Sequence, residues 1–186
     1  YAETVTLDQV EIGKNYAMVI TTNAGLWRYN IGDTVKFTSI SPFRIRITGR
    51  TKHFLSLCGE HLSVENMSKA ISFTAEQMGI EINEFAVAGI PHGNLFAHHW
   101  YIGSNMKVSA DALREKIDEH LKVINDDYRV ERTSALKEVI VTVLPDDAFI
   151  DFLASKGKLG SAHKFPRVMK GKQLEEWQEF IKKYQA

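Results

Sequence analysis

The sequence predicts an α+β protein: a small β-rich subdomain followed by an α+β domain with a mixed or antiparallel sheet and flanking helices. Three observations predict it. The first 50 residues contain strand-like runs and no helical stripe. Past Gly49-Arg50 the apolar residues begin to recur every three or four positions, the spacing of one helix face. Between those stripes lie runs rich in β-branched and aromatic residues, which read as sheet strands. The division falls near residues 50–52, giving a β subdomain over 1–51 and a second domain over 52–186.

The early strands are "YAMVITT" (16–22), "GLWRY" (25–29), "DTVKFTS" (33–39) and "FRIRITG" (43–49). The last sets Phe43, Ile45 and Ile47 against Arg44, Arg46 and Thr48, an alternation that fits a half-buried strand. Asn23, Gly32 and Pro42 punctuate them, and Gly32 reads as a sharp turn between two strands. "FLSL" (54–57) is a further short strand. Ser63 then caps a helix, with Glu65 in the first turn where a carboxylate suits the helix dipole. Met67, Ile71 and Met78 share its apolar face. "EFAVAGI" (84–90) and "FAHHWYIG" (96–103) are two strands around a turn at 91–94. Ser109 caps a second helix, on which Leu113, Ile117 and Leu121 recur every four residues. "LKEVIVTVL" (136–144) is a strand. Pro145-Asp146 opens a short helix with Phe149, Phe152 and Leu153, and a final helix carries Leu174, Trp177, Phe180 and Ile181.

Composition narrows the function. With 23 basic and 23 acidic side chains the formal net charge is zero, which argues against bulk binding to nucleic acid or a membrane surface. No apolar run approaches the ~18 residues of a transmembrane helix, and no signal peptide is visible. The lone cysteine, Cys58, allows no internal disulfide and fits a reducing, cytoplasmic compartment. Between apolar residues and a glycine it reads as buried and inert. No nucleophile-elbow pattern occurs. His98 and His99 are adjacent on a strand and point to opposite faces, and with His92 they fit no standard ligand set, so no metal site is expected. Trp27, Trp100 and Trp177 read as core.

Three segments hold residue types that structure alone does not demand. In "GLWRYNIGDTV" (25–35), Asp33 beside a glycine either accepts hydrogen bonds from a vicinal diol or simply favours a turn, and Tyr29 packs beside a base or supports the backbone. In "GRTKHFLSLCGEHLSVEN" (49–66), Arg50 grips a ribose or phosphate oxygen or is merely exposed. The run "SKGKLGSAHKFPRVMKGK" (155–172) holds five lysines, one arginine, three glycines and no acid. It either follows a phosphate chain with mobile ammonium groups or is a solvated linker.

Order and spacing join the three. Tyr29-Asn30-Ile31-Gly32-Asp33 resembles the Y-R-T-G-D motif of adenylate-forming enzymes, and Gly49-Arg50 with Gly59 through Glu65 resembles the motif that follows it. "YAMVITTNAGLWRYNIGD" and "SAHKFPRVM" are similar to segments of the auxin-responsive Gretchen-Hagen-three family of acyl-acid amido synthetases, V-T-T-Y-A-G-L-Y-R-Y-R-V-G-D and Q-Y-K-x-P-R. The resemblance runs along essentially the whole chain and covers about the last third of such a protein. It implies a two-step ligase. A carboxylic acid attacks ATP to give an acyl-adenylate and pyrophosphate, and an amine, in this family an amino acid, displaces AMP. By motif, Asp33 would bind the ribose hydroxyls, Tyr29 would line the nucleotide pocket and Arg50 would reach ribose or phosphate. Lys52 would be the hinge of a mobile C-terminal cap, and Lys164 would be the catalytic lysine. Residues 1–51 would complete a large adenylating domain. The phosphate loop, the acyl pocket and the Mg2+ ligands would lie upstream in the same polypeptide, and this portion alone would be inactive. Asn30, His61 and Lys52 depart from the residues usual at those positions. An acyl-CoA ligase, with a thiol in place of the amine, and a non-catalytic nucleotide-binding module are the alternatives.

Overall fold

The computed structural model describes residues 4–50, 54–55, 59–158 and 164–184. The chain divides into two compact units, 1–54 and 55–186.

The first unit is a three-stranded antiparallel sheet, ordered β1 (Asn15–Ile20), β2 (Tyr29–Ile40), β3 (Phe43–Arg50). Val35 and Phe37 are its buried residues, paired across the sheet with Ile47 and Ile45. Tyr16 and Phe43 meet Phe37 edge-on, at ring centroid distances of 6.0 and 6.1 Å. Phe43, Ile45 and Ile47 do share one face of β3, but all three are exposed, so the half-buried reading of this strand is not met.

Further expectations fail in this unit. Gly25 through Arg28 is not a strand. Thr22 N donates to the Leu26 carbonyl and Gly25 N to that of Thr22, and Arg28 takes φ +47°, so the segment closes a loop before pairing resumes at Tyr29. Nor does Gly32 turn the chain: β2 runs through it without a break. Trp27, expected in the core, is 80% exposed because it rides that loop.

The second unit is built on a four-stranded mixed sheet. Here β4 (Phe54–Leu55) and β5 (Leu62–Ser63) form a separate short pair, followed by α1 (Val64–Met78), β6 (Glu84–His92) and β7 (Leu95–Gly103). The chain continues through α2 (Ala110–Ile124), α3 (Asp126–Glu131), β8 (Leu136–Leu144), α4 (Asp146–Ser155), β9 (Val168–Met169) and α5 (Gly171–Ile181). β6 and β7 form a hairpin, and β8 and β9 add to it in parallel on opposite sides.

The period of two along β6 and β7 divides the core. Phe85, Val87, Trp100 and Ile102 face α1 and α2, where Met67, Ile71, Leu113, Ile117 and Leu121 complete one cluster. Ala86, Ala88 and Tyr101 face the other way, toward Phe149, Phe152, Phe165 and Trp177. The small alanines make room for those aromatic rings. Ser63 caps α1 by accepting from Asn66 N, and the Asn66 side chain returns to the Ser63 N–H. The mixed sheet and its flanking helices bear out the α+β expectation. The six-residue α3 and the two-residue β9 were not foreseen. Among the described residues no helix is long and apolar enough to cross a membrane.

Candidate functional site

The pairing of β1 with β2 shows what Gly32 does. Ala17 pairs with Thr34 and Val19 with Asn30, so Met18 alone faces the three residues from Ile31 to Asp33. This bulge needs one residue at positive φ, and Gly32 supplies it at +84°. The Asn30 side-chain oxygen accepts from Gly32 N at 2.9 Å and holds the kink from inside. Asp33 follows at once, half-buried, and its Cα is directly across from that of Arg50 on β3. Tyr29 opens the same strand and is exposed. The fold thus brings Asp33 and Arg50 side by side on adjacent strands, with Tyr29 four residues upstream. A carboxylate fixed in a bulge can accept two hydroxyl hydrogen bonds from a diol. Lys52 and Cys58 lie outside the described residues.

Lys164 belongs to the second unit. The segment that carries it, expected as a loop, is pinned at two points. Phe165 is buried, and its ring centroid lies 4.8 Å from that of Phe149 and 5.0 Å from that of Trp177. Arg167 Nη1 donates to the Phe85 carbonyl at 2.8 Å, pairs with Glu84, and stacks its guanidinium 4.2 Å over the Phe85 ring. Burial pushes the Arg167 guanidinium below its ordinary pKa. Val168 and Met169 then pair with Val87 and Ala88 as β9. With Pro166 stiffening the link, Lys164 is exposed at the mouth of a groove between α4 and α5. The groove measures about 640 Å³.

One buried pair escaped the sequence reading. Glu60 and His98 are both fully buried, and Glu60 Oε1 lies 2.9 Å from His98 Nε2. The His98 ring packs against Tyr128 at 5.8 Å. This pair fastens the start of the second unit to the middle of β7. Beside it, Gly59 and His61 both take positive φ, and His61 Nδ1 donates to the Gly59 carbonyl at 2.6 Å. His98 and His99 do point to opposite faces of β7, as their adjacency on a strand requires. The partner of His98, 38 positions away, carried no local signal. Among the described residues no group of three or more His, Cys, Asp or Glu could hold a metal ion.

The bulged strand and the segment that carries Lys164 both fall within domains of one protein family. The GH3 family central domain matches residues 1–50, and the GH3 family C-terminal domain matches residues 65–173. The second match alone spans more than half of the chain, and the chain belongs to the GH3 family.

Among curated relatives, indole-3-acetic acid-amido synthetase GH3.4 of Arabidopsis thaliana is 27% identical over 182 residues, covering 89% of this chain. Probable indole-3-acetic acid-amido synthetase GH3.7 of Oryza sativa subsp. japonica is 29% identical over 193 residues, covering 91% of this chain. The chain spans 30% of the length of each. The solved structure of GH3.15 acyl acid amido synthetase superposes with a TM-score of 0.73 at 23% identity, covering 97% of this chain and 34% of that one, and it shows the fold.

Proposed function

We propose that the chain is the C-terminal part of an ATP-dependent acyl-acid amido synthetase. In this reading residues 1–51 complete the large domain and residues 52–186 form a mobile cap turning about Lys52. A small carboxylic acid attacks the α-phosphorus of ATP, and pyrophosphate leaves. An amino acid then attacks the acyl carbon through its amine, and AMP leaves. Asp33 holds the ribose hydroxyls, Tyr29 lines the nucleotide pocket and Arg50 reaches ribose or phosphate. Lys164 offsets the charge that builds between carboxylate and α-phosphate, a role that depends on a preorganised position. The observation that carries the reading is how Lys164 is presented: an exposed ammonium between the buried Phe165 and the sheet-bound Arg167, in a segment inside the family match.

The reading includes Mg2+ bound with the ATP phosphates. Its ligands, like the phosphate loop and acyl pocket, are assigned to the upstream part of the longer polypeptide, without which this chain is inactive. A cytoplasmic location fits the single cysteine.

Pyrophosphate release by the full-length protein, over a panel of carboxylic acids, tests the reading. Acid-dependent release should fall by about 10²–10³ in Lys164→Ala, the range for losing one charge-stabilising group. Release that survives the substitution would move the catalytic lysine elsewhere. AMP release driven by coenzyme A and not by amino acids would make the protein an acyl-CoA ligase instead. Nucleotide binding without release for any acid, in an assay validated with a working relative, would leave a non-catalytic module.

A further inference from the structure

The groove beside Lys164 carries more charge than one catalytic lysine explains. Lys156 and Lys158 enter it from the end of α4, Lys164 from the segment before β9, and Lys172 from the first turn of α5. Glu176 is the one carboxylate in its lining. Its carboxyl is held below the usual range, first by the hydrogen bond from Lys156 and further by the charges of Lys156, Lys172 and Lys158. Lys156 Nζ lies 2.6 Å from Glu176 and Lys172 Nζ lies 3.9 Å from it. Among the described residues no carboxylate lies within ion-pair distance of Lys158 or Lys164. Four ammonium groups against one carboxylate leave three positive charges, in a protein whose net charge is zero.

The excess is not what helix stability would select. α5 has no acidic residue in its first turn and no side-chain cap, and Lys172 adds a positive charge at the positive end of the helix dipole. Its ion-pair contact, 3.9 Å to a Glu176 already taken by Lys156, offsets little of that cost, and local rules broken in this way mark functional positions. The floor is apolar, with Lys156 Nζ 5.5 Å over the Phe152 ring and Pro166 beside it, and a low-dielectric wall concentrates the field of the lysines.

We propose that this groove binds a phosphate chain of two or more phosphates through Lys156, Lys158 and Lys172, next to the catalytic Lys164. Lysine suits such a ligand, being a compact point charge on a flexible stem that follows oxygens of differing geometry. Glu176 offsets part of the lysines' charge and competes with the ligand for Lys156. The chain could be the triphosphate tail of ATP or the departing pyrophosphate. That assignment rests on the adenylation reading, whereas the site rests on the groove alone.

The test is calorimetric titration of the 186-residue chain with pyrophosphate, ATP, AMP and sulfate at matched ionic strength. Pyrophosphate is expected to bind saturably and more tightly than AMP or sulfate. The exposed double variant K158A/K172A should weaken it about tenfold, as expected for removing two partly solvated ion pairs. Glu176→Gln, which removes the opposing charge, should tighten it, with circular dichroism confirming the fold of each variant. ATP binding as tightly as pyrophosphate would identify the triphosphate tail as a ligand. Pyrophosphate binding alone would identify the leaving group. Sulfate binding as well as pyrophosphate, or a double variant unchanged in affinity, would overturn the site. Pyrophosphate binding in a protein that releases none from ATP with any acid would remove the adenylation reading and leave the groove standing.

Discussion

His98 and His99 are neighbours in sequence and opposites in surroundings. His99 lies on the α4–α5 side of the sheet, where its Nδ1 is hydrogen-bonded to Tyr101 Oη at 3.1 Å and its Nε2 to Thr142 Oγ1 at 2.8 Å. Gln178 completes the chain by donating to Tyr101 Oη at 3.2 Å. Both ring nitrogens are thus used by the neutral imidazole, and burial lowers its pKa from 6.5 to about 4. In the pH range between those values the unfolded chain takes up a proton that the folded chain refuses. Stability is therefore whole above about pH 6.5 and falls as pH drops toward 4, by up to about 3 kcal/mol. Urea unfolding at pH 7 and pH 4.5 should show this loss in the wild type and a smaller one in His99→Gln; equal slopes would assign it to other groups. Asp33 calls for a binding measurement. In the full-length protein Asp33→Ala should weaken ATP binding about tenfold, the scale of losing a charge-assisted hydrogen-bond pair. An unchanged dissociation constant would sink the ribose assignment.

At the scale of elements, the segment that presents Lys164 alternates in purpose from one residue to the next. Phe165→Ala should cost about 3–5 kcal/mol, because the ring fills space among Phe149, Phe152 and Trp177 that cannot readily collapse. Lys164→Ala, one position earlier and exposed, should stay within about 0.5 kcal/mol of wild type. Comparable losses in denaturant unfolding would mean that Lys164 serves the fold. The same segment shows where sequence reading stops. Helices α1, α2 and α5 were legible because their apolar residues repeat over several turns, and β6 to β8 because nine residues suffice to display a strand. Six residues in α3 and two in β9 offer no period. The loop 155–172 reads as solvated because its lysines outnumber its anchors, yet Phe165 and Arg167 are held by residues distant in the chain. Tyr29, Asp33 and Arg50 were recognisable as a motif. That Gly32 makes a bulge in one long strand depends on pairing with β1, which no local pattern reveals. The Glu60–His98 contact is unreadable for the same reason.

Over the whole molecule, charge balance and one sheet face set colloidal behaviour together. The formal net charge is zero at pH 7 and the isoelectric point is near 7.2, so no long-range repulsion keeps copies apart there. The first unit also presents Phe43, Ile45 and Ile47 along β3, with Ile47 65% exposed. Exposed apolar side chains in a row on a strand favour association once repulsion is gone. Attraction between copies, read as the second virial coefficient from light scattering, should therefore peak near pH 7. It should weaken at pH 9, where the net charge is negative. Ile47→Lys acts on both causes, since it removes apolar area and adds a charge, and should move the coefficient toward repulsion at pH 7 without lowering stability by more than about 0.5 kcal/mol. Added salt separates the causes. Salt screens an attraction between charge patches, whereas an apolar attraction persists or strengthens. Scattering at pH 7 that becomes repulsive in ~0.5 M salt would place the contact among charges. Scattering that stays attractive in salt and turns repulsive only in Ile47→Lys would place it on the β3 face.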